Sequence, residues 1–278
     1  MVEMKGSEKQ TITAIIPAFN EEINIERCIK SVLWCDRVVV LWMGNDNTGK
    51  IARSLGTEVV ELNKNTKPDF TSVQKNINWA IDNATTDWIL RIDADEEVTL
   101  KLQKEIVTLL NGYIVNEKTM EQCSNLAILQ IPVAFGIPRN QYFLGAFLKG
   151  GDWYYDRLVR LFRPESARYE PIVPVHEQFK VTGKIGYLQN RLNHYSHPTF
   201  KDAIQKFQLY TDAEVSQIKD SVWLAILKMI VLPPYLFGRW VFWHHGYRDG
   251  WRGIVASALR GWYEFLRFWK YLAHSAKT

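Results

Sequence analysis

Short apolar runs alternate with helix-like segments over the first hundred residues of this 278-residue chain. Four of these apolar or β-branched runs predict strands, at residues 11–16, 37–42, 57–62 and 87–92. Capping signals and apolar residues at helical spacing predict helices between them, beginning near Asn20, Thr48 and the pair Thr71 and Gln74. Strands that are apolar on both faces and separated by helices are typical of a mostly parallel sheet with helices on both faces. We therefore predict an α/β fold.

Polar, turn-forming residues follow three of the predicted strands, at 17–22, 44–48 and 93–97. The carboxyl ends of parallel strands meet at one edge of a sheet, and ligands bind beyond that edge, so we expect the three segments to form one site. The sequence contains neither the G-x-G-x-x-G motif of dinucleotide-binding folds nor a P-loop, which disfavours both classes.

Two carboxylates close the fourth strand, in the sequence Asp93-Ala94-Asp95. On an extended segment both point to the same side, where they repel unless a cation lies between them. Carboxylate oxygens suit Mg²⁺ or Mn²⁺, and such an ion could neutralise a diphosphate leaving group. The alternative is a surface acidic turn whose next residues, Glu96 and Glu97, occupy the first turn of a helix.

The C-terminal segment 222–278 is basic and rich in tryptophan: it holds six of the 11 tryptophans and eight Lys or Arg against two acidic residues. A helix is predicted at 199–219, then an apolar run ended by Pro233-Pro234, then a long helix over 251–273. The apolar run is too short to span a membrane, and the charges of the last helix oppose burial. We expect the segment to lie on an anionic membrane surface; a packed helical subdomain or an oligomer interface is the alternative.

Composition excludes several classes. The charge of the whole chain is only +4, it is not spread over the body, and no base-reading motif is visible, so a nucleic-acid partner is not expected. The three cysteines, Cys28, Cys35 and Cys123, lack metal-ligand spacing and indicate packed, reduced thiols in a cytosolic setting. The first residues show no apolar run, so export is not expected.

The segment 17–22 after the first strand and Asp93-Ala94-Asp95-Glu96 after the fourth resemble family 2 glycosyltransferases, over residues 11–110. The resemblance implies a GT-A fold with a nucleotide-binding sheet, a UDP-sugar as the expected donor, and Mg²⁺ or Mn²⁺ at the D-x-D motif. By the same resemblance, the donor-binding residues are Pro17, Phe19, Glu21, Asp46, Lys75, Asn76 and Asp93, and Asp93 and Asp95 serve the metal. One departure stands out: the family's first Asp after the second strand is Leu41 here, which puts the donor's identity in question.

A narrower resemblance, to lipopolysaccharide-core glucosyltransferases, is carried by the segments 140–145, 151–163, 175–177 and 193–197. It implies a lipid-linked or lipopolysaccharide-core saccharide as the acceptor. Inverting transfer needs a carboxylate base, for which we favour Glu177 over Asp156; a structural salt bridge with Arg157, Arg160 or Arg163 is the alternative for Asp156. His176 is a metal ligand or a structural residue. Arg160 and Arg163 either bind phosphate or line a solvated face.

These features predict a GT-A catalytic domain at 1–198, with a donor half at about 11–112 and an acceptor half at about 113–198. Residues 199–278 form a helical, membrane-associating region, with membrane contacts at Trp240, Trp243, Trp251, Arg252, Trp262 and Trp269. The predicted function is metal-dependent, inverting sugar transfer by a cytoplasmic enzyme peripheral to the inner face of the cell membrane. The alternatives are transfer onto polyprenyl phosphate and a non-catalytic nucleotide-sugar-binding scaffold.

Overall fold

The computed structural model describes residues 9–62, 70–120, 132–170 and 179–275. The strands are β1 (Ile12–Ala18), β2 (Arg37–Trp42), β3 (Glu58–Glu61), β4 (Trp88–Arg91), β5 (Glu96–Val98), β6 (Ala134–Phe143), β7 (Ala146–Phe147), β8 (Arg157–Phe162), β9 (Ala167–Arg168), β10 (Lys180–Val181), β11 (Ile185–Tyr187) and β12 (Leu192–His197). The helices are α1 (Ile25–Val32), α2 (Thr48–Ser54), α3 (Phe70–Asp82), α4 (Leu100–Met120), α5 (Asp152–Tyr155), α6 (Phe200–Val215), α7 (Val222–Gly238) and α8 (Trp251–Ser275).

The chain divides into two compact units. The described residues of the first unit are 9–62, 70–120, 132–138, 157–170 and 179–192, and those of the second are 139–156 and 193–275. The helical unit is therefore larger than the predicted segment 199–278. The reason is the apolar core that Phe143 and Leu148 share with Trp240 and Ala256, which joins the segment around 139–156 to the C-terminal helices.

The first unit contains the predicted α/β sheet. Its strands β3, β2, β1 and β4 lie side by side and are parallel, β8 is antiparallel to β4, and β6 is antiparallel to β8. One apolar core joins the sheet to α1 and α4, and another joins it to α3, so helices cover both faces. This arrangement confirms the predicted GT-A-type fold class, a mostly parallel sheet between helices.

Two predicted helix starts differ from the structure. The first helix begins at Ile25, not at Asn20, which adopts a left-handed conformation with φ of 53°. The Asn20 side-chain oxygen accepts a hydrogen bond from the backbone N–H of Asn45, 2.9 Å away, so it is not available to cap a helix. The third helix begins at Phe70, so Thr71 lies inside its first turn and Gln74 is buried within it.

The second unit contains the C-terminal helices. Thr199 caps α6 through a reciprocal pair of hydrogen bonds with Asp202, close to the predicted helix start. The prediction that Pro233-Pro234 ends the apolar run is wrong, because α7 continues through both prolines to Gly238 and is followed by a π-helical turn, Arg239–Trp243. The helix packs along α8, where a side chain at Gly261 would lie 2.9 Å from the Pro233 carbonyl oxygen. This tertiary packing outweighs the hydrogen bonds that the prolines remove.

Candidate active site

The three polar strand ends lie at one edge of the first unit's sheet, as predicted. Ala18 of β1 pairs with Trp42 of β2, and Ile15 of β1 pairs with Arg91 of β4. The carboxyl ends of β1, β2 and β4 are therefore neighbours, and the segments that follow them meet at the position where α/β sheets bind ligands.

The loops after β1 and β2 are bound to each other by hydrogen bonds. The Glu21 backbone N–H donates to Thr48 Oγ1 (2.8 Å), and the Glu22 N–H donates to Asp46 Oδ2 (3.1 Å). The other oxygen of Asp46 accepts the Thr48 N–H at 3.0 Å. Burial alone would raise the pKa of Asp46, but the hydrogen bonds from Thr48 and Glu22 outweigh it and hold the pKa below its ordinary value. Asp46 thus connects two loops as an ionised carboxylate.

The D-x-D segment is a tight turn rather than the extended segment that the sequence suggests. The Glu96 N–H donates to the Asp93 carbonyl oxygen (2.9 Å), and the Glu96 carboxylate accepts the Asp93 N–H (2.9 Å). Glu96 and Glu97 belong to β5 and not to the first turn of a helix. Glu96 has no solvent exposure, so its carboxylate closes the turn from inside the protein.

Two guanidinium groups hold the acidic turn. Arg160 of β8 is 2% exposed and binds the carboxylates of both Asp93 and Glu96, the latter at 2.9 Å. Arg91 binds the other oxygen of Asp93 at 2.8 Å. Burial would lower the pKa of Arg91, but the negative charge of Asp93 raises it above its ordinary value, so Arg91 stays charged. Arg160 does not line a solvated face as one of its two predicted roles requires, because it is buried against the carboxylates of the turn.

These ion pairs change which residue fits a metal. Both carboxylate oxygens of Asp93 contact guanidinium groups, which makes Asp93 a poor direct ligand. Among the residues that the structure describes, no cluster of three or more His, Cys, Asp or Glu side chains could hold an ion. Asp95, which is 8% exposed, is the other carboxylate of the D-x-D motif, and Mg²⁺ is commonly bound by one or two carboxylates together with substrate phosphates. Asp95 therefore fits a metal that a donor diphosphate completes.

The other predicted donor residues lie in the first unit. Pro17 is buried in β1, and Phe19 and Glu21 are half-buried in the loop after it. On α3, Lys75 is exposed, and the Asn76 side chain donates to Met43 Sδ at 3.4 Å.

Leu41, which replaces the family's acidic residue, is fully buried among apolar side chains of β2 and α3. Its side chain therefore takes part in packing and cannot read a nucleotide.

Of the two candidate bases, only Asp156 lies among the residues that the structure describes. Glu177 and His176 are not among the described residues. Asp156 belongs to the second unit, where it forms a salt bridge with Arg139, which is not one of the arginine partners that we expected for it.

The structure separates the predicted membrane residues. Trp243, Trp251, Trp262 and Trp269 are exposed, but Trp240 is 1% exposed and packs edge-on against Trp153. The prediction of a membrane contact is wrong for Trp240. Arg252 is half-buried and donates from Nε to the Leu144 carbonyl oxygen at 2.8 Å.

Sequence reasoning did not assign a role in the site to three residues that hold the acidic turn. Arg91 and Glu96 form its ion pairs, and the buried Cys28 thiol donates to the Asp93 carbonyl oxygen at 3.3 Å. Burial, followed by the charges of Glu96 and Asp93, raises the pKa of Cys28, which keeps the thiol neutral. A charged residue inside the otherwise apolar strand β4 was the available signal for Arg91.

Replacing Arg160 should destabilise the protein because Glu96 would remain buried without this partner. We expect Arg160→Met to lower the free energy of unfolding by about 3–5 kcal/mol, measured by urea denaturation. The control is Arg53→Met, which breaks the exposed Arg53–Glu61 pair and should cost about 1 kcal/mol or less. An equal decrease in the free energy of unfolding in the two variants would show that the buried ion pair contributes no more to stability than the exposed one.

The lowered pKa of Asp46 predicts a pH-dependent contribution to stability. Because the folded pKa lies below the unfolded value of about 3.9, the contribution is complete above about pH 5 and is lost as pH falls through the folded pKa. In Asp46→Asn this loss is absent, so its melting temperature should fall less steeply than that of the wild type between about pH 5 and pH 3. Thermal unfolding across this range measures it, and parallel curves would contradict the assignment.

Comparison with known proteins agrees with the predicted family. Residues 13–113 match the family model "Glycosyl transferase family 2". A lipopolysaccharide core biosynthesis glycosyltransferase of Rhizobium meliloti, LpsC, is 24% identical over 274 residues, which cover 97% of this chain and 95% of the relative. An uncharacterised glycosyltransferase of Rickettsia bellii is 27% identical over 271 residues, covering 93% of this chain and 85% of the relative.

Among solved structures, residues 1–349 of S. aureus TarS in complex with UDP-GlcNAc are similar with a TM-score of 0.47 and 12% identity, covering 76% of this chain and 68% of that one. The family match includes the loops after β1 and β2 and the acidic turn. Residues 13–113, with the site at their sheet edge, are therefore similar to glycosyl transferase family 2.

Proposed function

We propose that this protein is an inverting, metal-dependent glycosyltransferase that moves a sugar from a UDP-sugar to a lipid-linked or lipopolysaccharide-core saccharide. The observation that carries the proposal is the acidic turn: Asp95 lies beside an Asp93 fixed by two guanidinium groups, at the ligand-binding edge of a family 2 segment. The relative LpsC is a lipopolysaccharide core biosynthesis glycosyltransferase, which supports the acceptor class.

The donor would bind across the loops after β1 and β2. Pro17, Phe19 and Glu21 are the proposed contacts of the nucleoside, and Asp46 holds the neighbouring loop in place through the Glu22 and Thr48 N–H groups. Because these loops are already connected, little ordering is needed when the nucleotide arrives. Lys75, exposed on α3, is available to a donor phosphate.

Asp95 is the proposed metal ligand, with Mg²⁺ or Mn²⁺ as the ion. When bound, the ion supplies positive charge to the diphosphate leaving group. Asp93 has a different part: it is fixed by Arg91 and Arg160 and holds the turn that presents Asp95.

Glu177 is the proposed general base. Its carboxylate takes the proton of the acceptor hydroxyl while the acceptor oxygen attacks the anomeric carbon and the bond to the diphosphate oxygen breaks. Attack from the face opposite the leaving group inverts the anomeric centre. Asp156 is the weaker candidate because Arg139 already pairs with it.

The acceptor class brings the enzyme to the cytoplasmic face of the cell membrane. The described residues include one helical stretch, Val222–Trp243, that is long and apolar enough to cross a bilayer by length and composition, with a mean hydropathy of 1.4. Polyprenyl phosphate as the acceptor would use the same location.

A non-catalytic nucleotide-sugar-binding scaffold is the second candidate, and Leu41 favours it. A buried leucine at the position of the family's acidic residue removes one contact to the nucleotide. Thermal-shift measurements with nucleotide sugars, with and without Mn²⁺, followed by a donor-hydrolysis assay, separate the two. Metal-dependent stabilisation with slow hydrolysis supports the enzyme, and stabilisation without hydrolysis supports the scaffold.

Removal of the Asp95 charge tests the metal assignment. Asp95→Asn keeps the shape of the side chain, so we expect the fold to persist while transfer and Mn²⁺-dependent stabilisation by the donor are lost. The matched control, Glu97→Gln, removes a neighbouring charge and should retain activity. Full activity in Asp95→Asn would contradict the assignment.

The two candidate bases are separated by kinetics. Glu177→Gln should lower kcat by about 10²–10⁴-fold with little change in donor affinity, because a general base acts on the chemical step. Asp156→Asn should leave kcat within about threefold of the wild type. The reverse result would move the role to Asp156.

A further inference from the structure

The second unit has an exposed apolar surface that neither its core nor the catalytic proposal accounts for. We define the α7 face as seven of the exposed apolar residues of α7 and the following π-helical turn: Trp223, Leu227, Ile230, Val231, Tyr235, Phe242 and Trp243. On α7 itself, the first four recur at positions i, i+4, i+7 and i+8, which places them on one side of the helix. Trp223 and Trp243 are each 81% exposed. An apolar patch of this extent normally contacts a partner.

The charged side chains of this segment are paired with carboxylates of the second unit. Lys228 and Arg239 are the only Lys, Arg, Asp or Glu residues between 222 and 243. Lys228 binds Asp220 at 2.7 Å, and Arg239 lies 3.3 Å from Asp152, and both cations remain partly exposed. The residues of the α7 face itself carry no charge, and among their side chains only the Tyr235 hydroxyl and the two indole N–H groups can form hydrogen bonds.

The basic residues of α8 are also paired within the second unit. Lys270 binds Asp212 at 2.6 Å, Arg260 binds Glu264 at 2.7 Å, and Arg267 binds Glu264 at 2.8 Å. Three cations of the segment 222–278 also pair with acidic residues that lie before it in the sequence: Lys270 with Asp212, Arg267 with Glu214 and Lys228 with Asp220. Electrostatic attraction to anionic lipids is weaker than the sequence suggests.

We propose that the α7 face inserts into the hydrocarbon boundary of a lipid bilayer, with α7 lying along the membrane plane, and that apolar burial rather than charge drives binding. The hydrocarbon layer of a bilayer forms no hydrogen bonds with the surface that contacts it, which matches the α7 face, whereas protein interfaces have a polar rim and paired polar groups. Trp223 and Trp243 lie near the two ends of this stretch of about 33 Å. In a helix that lies along the membrane plane, both indoles are at the amphipathic boundary of the bilayer, where tryptophan is enriched. The inference deepens the proposed function, on which it rests for the membrane-bound acceptor.

Vesicle flotation of the full chain tests the driving force. We expect binding to neutral phosphatidylcholine vesicles and to vesicles containing phosphatidylglycerol, with affinities within about threefold of each other and little changed between low salt and 1 M NaCl. Binding only to anionic vesicles, or its loss at high salt, would overturn the proposal.

Substitutions on the α7 face test the location. Trp223→Ser/Leu227→Ser/Ile230→Ser should weaken binding to neutral vesicles by about tenfold or more. The matched control, Ile23→Ser/Leu100→Ser, changes exposed aliphatic residues of the first unit, at 86% and 76% exposure, and should bind like the wild type. Equal binding to vesicles by the triple variant and the wild type overturns the proposal. The proposal is also overturned if neither protein floats with vesicles and the wild type self-associates while the triple variant does not, because the α7 face would then contact a second copy of the chain.

Donor hydrolysis in detergent separates this inference from the proposed function. Because the changed residues lie on the surface of the second unit, hydrolysis by the triple variant should match the wild type. Flotation without hydrolysis by the wild type supports the membrane face and contradicts the enzyme. Donor hydrolysis by a wild-type protein that does not float contradicts membrane insertion of the α7 face and supports the proposed enzymatic function.

Discussion

The ion pairs between two buried guanidinium groups and the acidic turn are the interaction on which the candidate site depends. Asp93, Asp95 and Glu96 bring three carboxylates together at the end of a buried strand, where uncompensated charge is costly. Arg91 and Arg160 pair with Asp93, and Arg160 also pairs with Glu96, so two guanidinium groups hold these carboxylates together in one turn.

This arrangement gives the two residues of the D-x-D motif different tasks. The Asp93 carboxylate is held from both sides, and its backbone N–H and C=O groups are bound by Glu96, so its position is fixed by the sheet. Asp95 is carried by that turn and gains a fixed position from it. In the function that we propose, this fixed carboxylate would hold the ion that supplies positive charge to the diphosphate leaving group.

The sequence predicts the parts of this structure that depend on local pattern. The four parallel strands follow from their apolar runs, and their common edge follows from the geometry of parallel sheets. The ion pairs of the site cannot be predicted in this way. Arg160 and Asp93 are 67 residues apart, and no local pattern predicts that they meet. Asn20 fails for the same reason: its side chain bonds to a loop 25 residues away, and this competes with the capping role that its type suggests.

The basic, tryptophan-rich segment shows the limit of counting charge along a sequence. A net charge is a property of a chosen window, whereas a membrane responds to the charges that remain unpaired on a surface. Asp212, Glu214 and Asp220 lie just outside the window, and each binds a cation inside it, so folding removes much of the excess from the surface. The apolar residues of α7 have no such compensation within the second unit. The feature that the sequence presents as mainly electrostatic is, in the folded protein, mainly hydrophobic.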